Sequence, residues 1–138
     1  MSSSKQSKRS LLPIDPFTVA RIVIVESKDE DRLLLRSILE GAGHDTYSTQ
    51  DIEQVLNYAK AGVDVIFTAL QMPVTHGLEL IMTVRSKTPN AAVIAVSATG
   101  PEQLAMAEAV GAVMSFRKPL EPRAILDAVD EVVGNEHG

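Results

Sequence analysis

The run from Arg21 to Ser48 reads RIVIVESKDEDRLLLRSILEGAGHDTYS, and its hydrophobic spacing changes twice. Arg21-Ile22-Val23-Ile24-Val25 is β-branched and continuous rather than alternating, the pattern of a strand covered on both faces. Leu35, Ile38, Leu39 and Ala42 then keep the i, i+3, i+4, i+7 spacing of one helix face, with Gly41 and Gly43 supplying the stop. His44-Asp45-Thr46-Tyr47-Ser48 is a shorter, more polar strand that suits a sheet edge. Strand, helix and strand in this order make a βαβ unit, with two parallel strands and a helix crossing one face.

The alternation continues along the chain. Val63-Asp64-Val65-Ile66-Phe67-Thr68, Ala91-Ala92-Val93-Ile94-Ala95-Val96 and Val113-Met114-Ser115-Phe116 are further apolar runs of strand length. Ile52, Val55, Leu56 and Ala59 form a helix face behind Asp51 as N-cap and before Gly62. Leu78, Ile81, Met82 and Arg85 do the same between Gly77 and Pro89. Leu104, Met106 and Val110 are scattered over a less apolar helix from Thr99 to Val110. The last helix opens at Pro122 and turns Ile125, Val129, Val132 and Val133 inward. Five βα units predict a doubly wound α/β fold, a five-stranded parallel sheet between two helix layers. In such folds ligand and catalytic groups gather at the carboxyl ends of the strands, where strand order reverses.

Composition narrows the function. The 138 residues are 45% hydrophobic, enough for one layered core. Against 18 acidic side chains stand 13 basic ones, a net charge of -5, which argues against nucleic acid as a partner. Without cysteine there is no disulfide, thiol nucleophile or thiolate zinc site. No run of about 18 apolar residues spans a bilayer, and MSSSKQSKRS lacks an apolar core behind its basic residues, so a cytoplasmic chain with no membrane partner is expected. Residues 1–18 read as a flexible N-terminal extension with Lys5, Lys8 and Arg9, broken by Pro13 and Pro16. Residues 19–134 read as one domain and 135–138 as a tail.

The strand ends carry the decisive motifs. VIVE at 23–26, LQMPVTHGLELI at 70–81, VSA at 96–98, VGA at 110–112 and FRKP at 116–119 together resemble the receiver domain of two-component response regulators, over roughly residues 20–134. The resemblance implies a flavodoxin-like (βα)5 fold and a signalling role without enzymatic turnover. It also implies that an Asp at the end of the third strand accepts a phosphoryl group, while acids at the end of the first strand help bind Mg²⁺. A Ser or Thr and a Lys at the fourth and fifth strand ends bond the phosphoryl oxygens. Ser97 and Lys118 match the last two roles.

The acidic end departs from the pattern. Ala69 stands at the phosphoacceptor position, and its methyl group has no lone pair with which to attack phosphorus. Glu26 and Ser27 stand for the acid pair, leaving one carboxylate of three for a hard dication, so Mg²⁺ binding is expected to be weak or absent and no other metal or cofactor is expected. Ser115 replaces the aromatic residue that swings inward in the family. These losses imply a pseudo-receiver with a vestigial pocket of Glu26, Ser27, Ala69, Ser97 and Lys118, and no catalytic residue.

Each of these residues also has a plainer reading. Lys118 either pairs with Glu26 or binds an anion, and with Glu26 as its sole partner Glu26→Gln is the costly change and Lys118→Met the mild one. Ser97 either satisfies a strand-end amide or contacts a ligand. Asp29, Glu30 and Asp31 open a helix, where acids favour the positive dipole end and point away from the pocket. His76 reads as a solvent-facing loop residue, and His44 as an imidazolium at a helix C-terminus. Thr68 is no substitute nucleophile, because adjacent strand residues face opposite ways.

Two functions follow. In the first, the chain is a stand-alone binding module acting without phosphorylation through the fourth helix, fifth strand and fifth helix. Met106, Val110, Ser115, Arg117 and Arg123 are the candidate contacts. The partner is a histidine kinase, another response regulator, an output protein, or a second copy in a homodimer. In the alternative, Ser97 and Lys118 hold an anion or small acidic ligand, or serve an atypical phosphoacceptor.

Overall fold

In the computed structural model, which describes residues 19–72 and 76–135, strands and helices alternate along the whole domain. In chain order they are β1 (Arg21–Val25), α1 (Asp29–Gly41), β2 (Asp45–Ser48), α2 (Ile52–Lys60) and β3 (Val65–Ala69), followed by α3 (Gly77–Lys87), β4 (Ala92–Ser97), α4 (Pro101–Ala109), β5 (Met114–Arg117) and α5 (Pro122–Asn135). The extension expected over 1–18, Pro73 of the loop motif and His137 lie outside the described residues.

All strand pairs are parallel, in the order β2-β1-β3-β4-β5. The chain therefore moves outward from β1 to β2, then back past β1 to β3 and on to β5. With right-handed crossovers, α1 lies on one face and α2, α3 and α4 on the other. Contacts agree: α1 touches α5, while α2 touches α3 and α3 touches α4. This is the flavodoxin-like α/β arrangement. Ile22 to Val25, Val65 to Phe67 and Val93 to Val96 are fully buried, as continuous β-branched runs require in a sheet covered on both sides. The polar β2 lies at one edge and β5 at the other. Strands β3 and β4 begin later than the apolar runs, with Val63 and Ala91 buried in the approach loops ahead of pairing, and β5 begins at Met114 after a half-exposed Val113.

Helix ends follow local chemistry. Asp51 Oδ1 accepts the Glu53 amide at 3.1 Å, capping α2. Gly43 and Gly62, past α1 and α2, take positive φ of 93° and 108°. The expected α5 face is buried at Ile125, Val129, Val132 and Val133.

Two helix readings are corrected. On α3 the buried row is Gly77, Leu80, Ile81 and Val84, whereas Met82 is half exposed and Arg85 exposed. The inward stripe starts at Gly77, and the aliphatic stem of Arg85 lies over Gly111, where a Cβ would run into Arg85 Cγ. His44 is no imidazolium at a helix end. It lies beyond α1, is buried, and its Nδ1 accepts the Ala20 amide at 3.0 Å.

Gly77 allows a close approach of helix to sheet: a Cβ there would stand 2.5 Å from the Ala69 carbonyl oxygen and 2.6 Å from Leu70 Cα. Gly134, on α5, has nothing within 4 Å of such a Cβ. Gly77→Ala is therefore expected to lower unfolding free energy by about 2 kcal/mol or more through backbone displacement. Gly134→Ala should raise it by up to about 1 kcal/mol, through helix propensity alone. Denaturant unfolding of both variants reads the contrast, and equal effects would show that α3 moves freely off β3.

Candidate functional site

Strand order reverses between β1 and β3, so their carboxyl ends diverge and leave a crevice that β4 and β5 extend. Glu26 follows β1 directly, Ala69 ends β3, Ser97 ends β4 and Lys118 follows β5.

Lys118 closes the crevice. Its Nζ lies 2.8 Å from Glu26 Oε1 and 2.7 Å from Asp31 Oδ2. The Lys118 side chain is 14% exposed and that of Glu26 only 1%, so the contact with Glu26 is close to dry. Glu26 Oε2 accepts the Lys28 amide at 3.1 Å, which engages both oxygens of that carboxylate. Burial pulls the Lys118 pKa down, but hydrogen bonds to Asp31 and Glu26 outweigh it and hold the pKa above the ordinary lysine value. The pairing with Glu26 is as expected from the sequence. The pairing with Asp31 is not, and it overturns the view that all three acids of the first α1 turn point away. Asp31 stands one turn ahead of Leu35 and two ahead of Leu39, both buried, so it continues the inward row of the helix to the strand ends.

Asp29 stands in the first turn of α1 and pairs with Arg32. Arg32 Nη1 also donates to the carbonyls of Glu26 at 3.2 Å and Ser27 at 3.5 Å, fixing the turn between β1 and α1.

The other half of the crevice is a ring of neutral groups. Gln71 Nε2 donates to Thr99 Oγ1 at 2.9 Å, Thr99 Oγ1 lies 2.8 Å from Ser97 Oγ, and Ser97 Oγ donates to Gln71 Oε1 at 3.4 Å. The Thr99 amide adds a bond to Ser97 Oγ at 3.1 Å. With Thr99 donating to Ser97, every hydroxyl in the ring both donates and accepts, so the buried Ser97 has its hydrogen-bonding capacity filled internally. Gln71 and Thr99 carry no signal in the sequence alone; parallel pairing of Ala69 with Val96 brings the loops beyond them together. Ala69, at the end of β3, is 2% exposed and carries only a methyl group. Thr68 Oγ1 donates to the Ala69 carbonyl and stays inside the core.

A model of the response regulator receiver domain matches residues 22–130. The chain belongs to this receiver family. Among relatives, the receiver is 29% identical over 116 residues to the chemotaxis protein CheY of Thermotoga maritima, covering 81% of this chain and 96% of CheY. It is 28% identical over 118 residues to the sensory/regulatory protein RpfC of Xanthomonas campestris pv. campestris, covering 81% of this chain but 16% of RpfC. The solved structure of Vibrio cholerae CheY4 superposes with a TM-score of 0.72 at 29% identity, covering 83% of this chain and 98% of that one. Receivers are components of two-component signalling and not enzymes.

The Mg²⁺ that the family implies does not suit the side chains present. The two carboxylates at the crevice, Glu26 and Asp31, are both held by the Lys118 ammonium, the second oxygen of Glu26 accepts the Lys28 amide, and Ser27 and Ala69 offer no charge. Among the described residues no group of three or more acids and histidines converges as a metal site, and no helix is long and apolar enough to cross a membrane.

The second carboxylate reverses the expected ranking of variants. Lys118→Met leaves buried Glu26 beside Asp31 with no cation between them, and a cost of about 3 kcal/mol is expected. Glu26→Gln still leaves Lys118 with Asp31, and about 1 to 2 kcal/mol is expected. Asp31→Asn, at a side chain 26% exposed, should cost about 1 kcal/mol or less. Urea unfolding checks the order; finding Lys118→Met mildest would mean that the ammonium is solvated.

Proposed function

We propose that this chain is a pseudo-receiver, a cytoplasmic two-component signalling module that acts by protein contact without accepting a phosphoryl group. The observation that carries the reading is Ala69 at the end of β3, the phosphoacceptor position of the family. Two further features support it. The Lys118 ammonium is held by Glu26 and Asp31, and the Ser97 hydroxyl by Thr99 and Gln71, so the groups that bond phosphoryl oxygens elsewhere in the family are engaged within the protein.

The contact surface in this reading is α4, β5 and the start of α5. Helix α4 buries only Ala107, leaving Met106 half exposed and Leu104 and Val110 partly covered. Arg117 and Arg123 are exposed beside it. Ser115, where the family has its mobile aromatic residue, donates from Oγ to Glu108 Oε2 at 2.5 Å and ties β5 to α4. In this reading the face is displayed without phosphorylation. Its partner is a histidine kinase, another response regulator, an output protein or a second copy of the chain. The anion-sensor alternative has less behind it, since one ammonium between two carboxylates leaves the pocket with a net negative charge.

Radiolabelled acetyl phosphate with Mg²⁺, or a histidine kinase, tests the reading. The native chain is expected to take up no label, and a stoichiometric adduct would overturn it. Ala69→Asp is expected to label slowly and Ala69→Asp with Ser27→Asp faster, because the second substitution restores a strand-end acid for the metal. Equal rates would show that Glu26 and the new Asp suffice.

A further inference from the structure

Two consecutive amides at the entry to β1 are held by side chains. Ala20 N–H donates to His44 Nδ1 at 3.0 Å, and Arg21 N–H to Asp64 Oδ2 at 2.9 Å. Ala20 is fully buried and His44 is 7% exposed, which shields their contact from bulk water. Both residues are also pinned by backbone: Asp45 N–H donates to the Ala20 carbonyl at 3.0 Å, and His44 N–H to the Leu39 carbonyl at 3.1 Å. An imidazole nitrogen accepts an amide hydrogen only while it carries no proton, so the ring is neutral with its hydrogen on Nε2. Protonation would set one N–H against another at a buried contact, where an unsatisfied donor is costly.

We propose that His44 is an acid-operated latch on the entry to β1: the neutral ring holds Ala20 against the start of β2, and the protonated ring releases the Ala20 amide and loosens the backbone leading into the sheet. Burial is the strongest influence on the ring and pushes its pKa below the ordinary histidine range, against the opposing charges of Asp130 on α5, Asp45 on β2 and Asp64 before β3. From α1, Glu40 is engaged by Arg36 and Thr46. The unfolded chain therefore takes up this proton first. The stability that the latch contributes is complete above about pH 6.5 and is lost as pH falls from there through the folded-state value, at most about tenfold in the unfolding constant per pH unit. The device is remote from Lys118, so its test is independent of the proposed function.

The test is nitrogen-15 NMR of the full chain between about pH 7.5 and pH 5, spanning the histidine range. The imidazole is expected as the Nε2–H tautomer at the upper end. On acidification the Ala20 amide shift should follow the His44 titration, and the Ala20 exchange protection factor should fall about tenfold or more. His44→Asn places an amide oxygen where Nδ1 stood, and should keep Ala20 protected while abolishing the pH dependence. His44→Leu should lose Ala20 protection at every pH. An Nδ1–H tautomer, or an Ala20 titration that persists in His44→Asn, would overturn the proposal.

Discussion

The ammonium of Lys118 ties together three elements at the carboxyl end of the sheet. It joins the end of β1 through Glu26, the first turn of α1 through Asp31, and β5, an edge strand that pairs on one side only. Its own backbone amide donates to the Ser97 carbonyl at 2.8 Å and continues the β4–β5 pairing past the strand. Charges this far from water repay their desolvation only with good geometry on every side, so the triad is better understood as fixing one arrangement than as adding stability.

The same economy governs the other wall of the crevice. Gly77 lets α3 close on the Ala69 carbonyl, and Gln71, Thr99 and Ser97 satisfy one another. Lys118, Glu26 and Ser97 at this end have partners within the chain, and the one position where chemistry would begin holds a methyl group. What stays outward is the half-apolar surface of α4 with the arginines beside it.

The fold was legible because its central strands are continuous β-branched runs and its first two helices are followed by glycines of positive φ. Val23, Ile66 and Ile94 announce central strands, and Asp45 and Thr46 announce an edge. Side-chain direction at element ends depends on tertiary placement, which spacing alone does not show. Asp31 has the composition of a dipole-favouring acid, yet it shares a helical row with Leu35 and Leu39, a spacing that could have exposed it. The stripe of α3 was displaced because a buried Gly77 carries no hydrophobic signal. His44 follows a helix-ending glycine whose positive φ turns the chain inward rather than leaving it at the helix terminus. Gln71 and Thr99 meet only through the β3–β4 register.

The unequal strands bear on how this protein fails. The edges, β2 and β5, have 4 residues each and carry Asp45, Thr46, Ser48 and Arg117, whereas the interior β1 and β3 have 5 and β4 has 6. Short polar edges are poor templates for another chain's strand. The segments most able to stack into fibrils, Ile22 to Val25 and Val93 to Val96, are enclosed between neighbours and fully buried. Peeling β2 away uncovers β1 and peeling β5 away uncovers β4, so the two short edge strands are what separate the adhesive centre of the sheet from other chains.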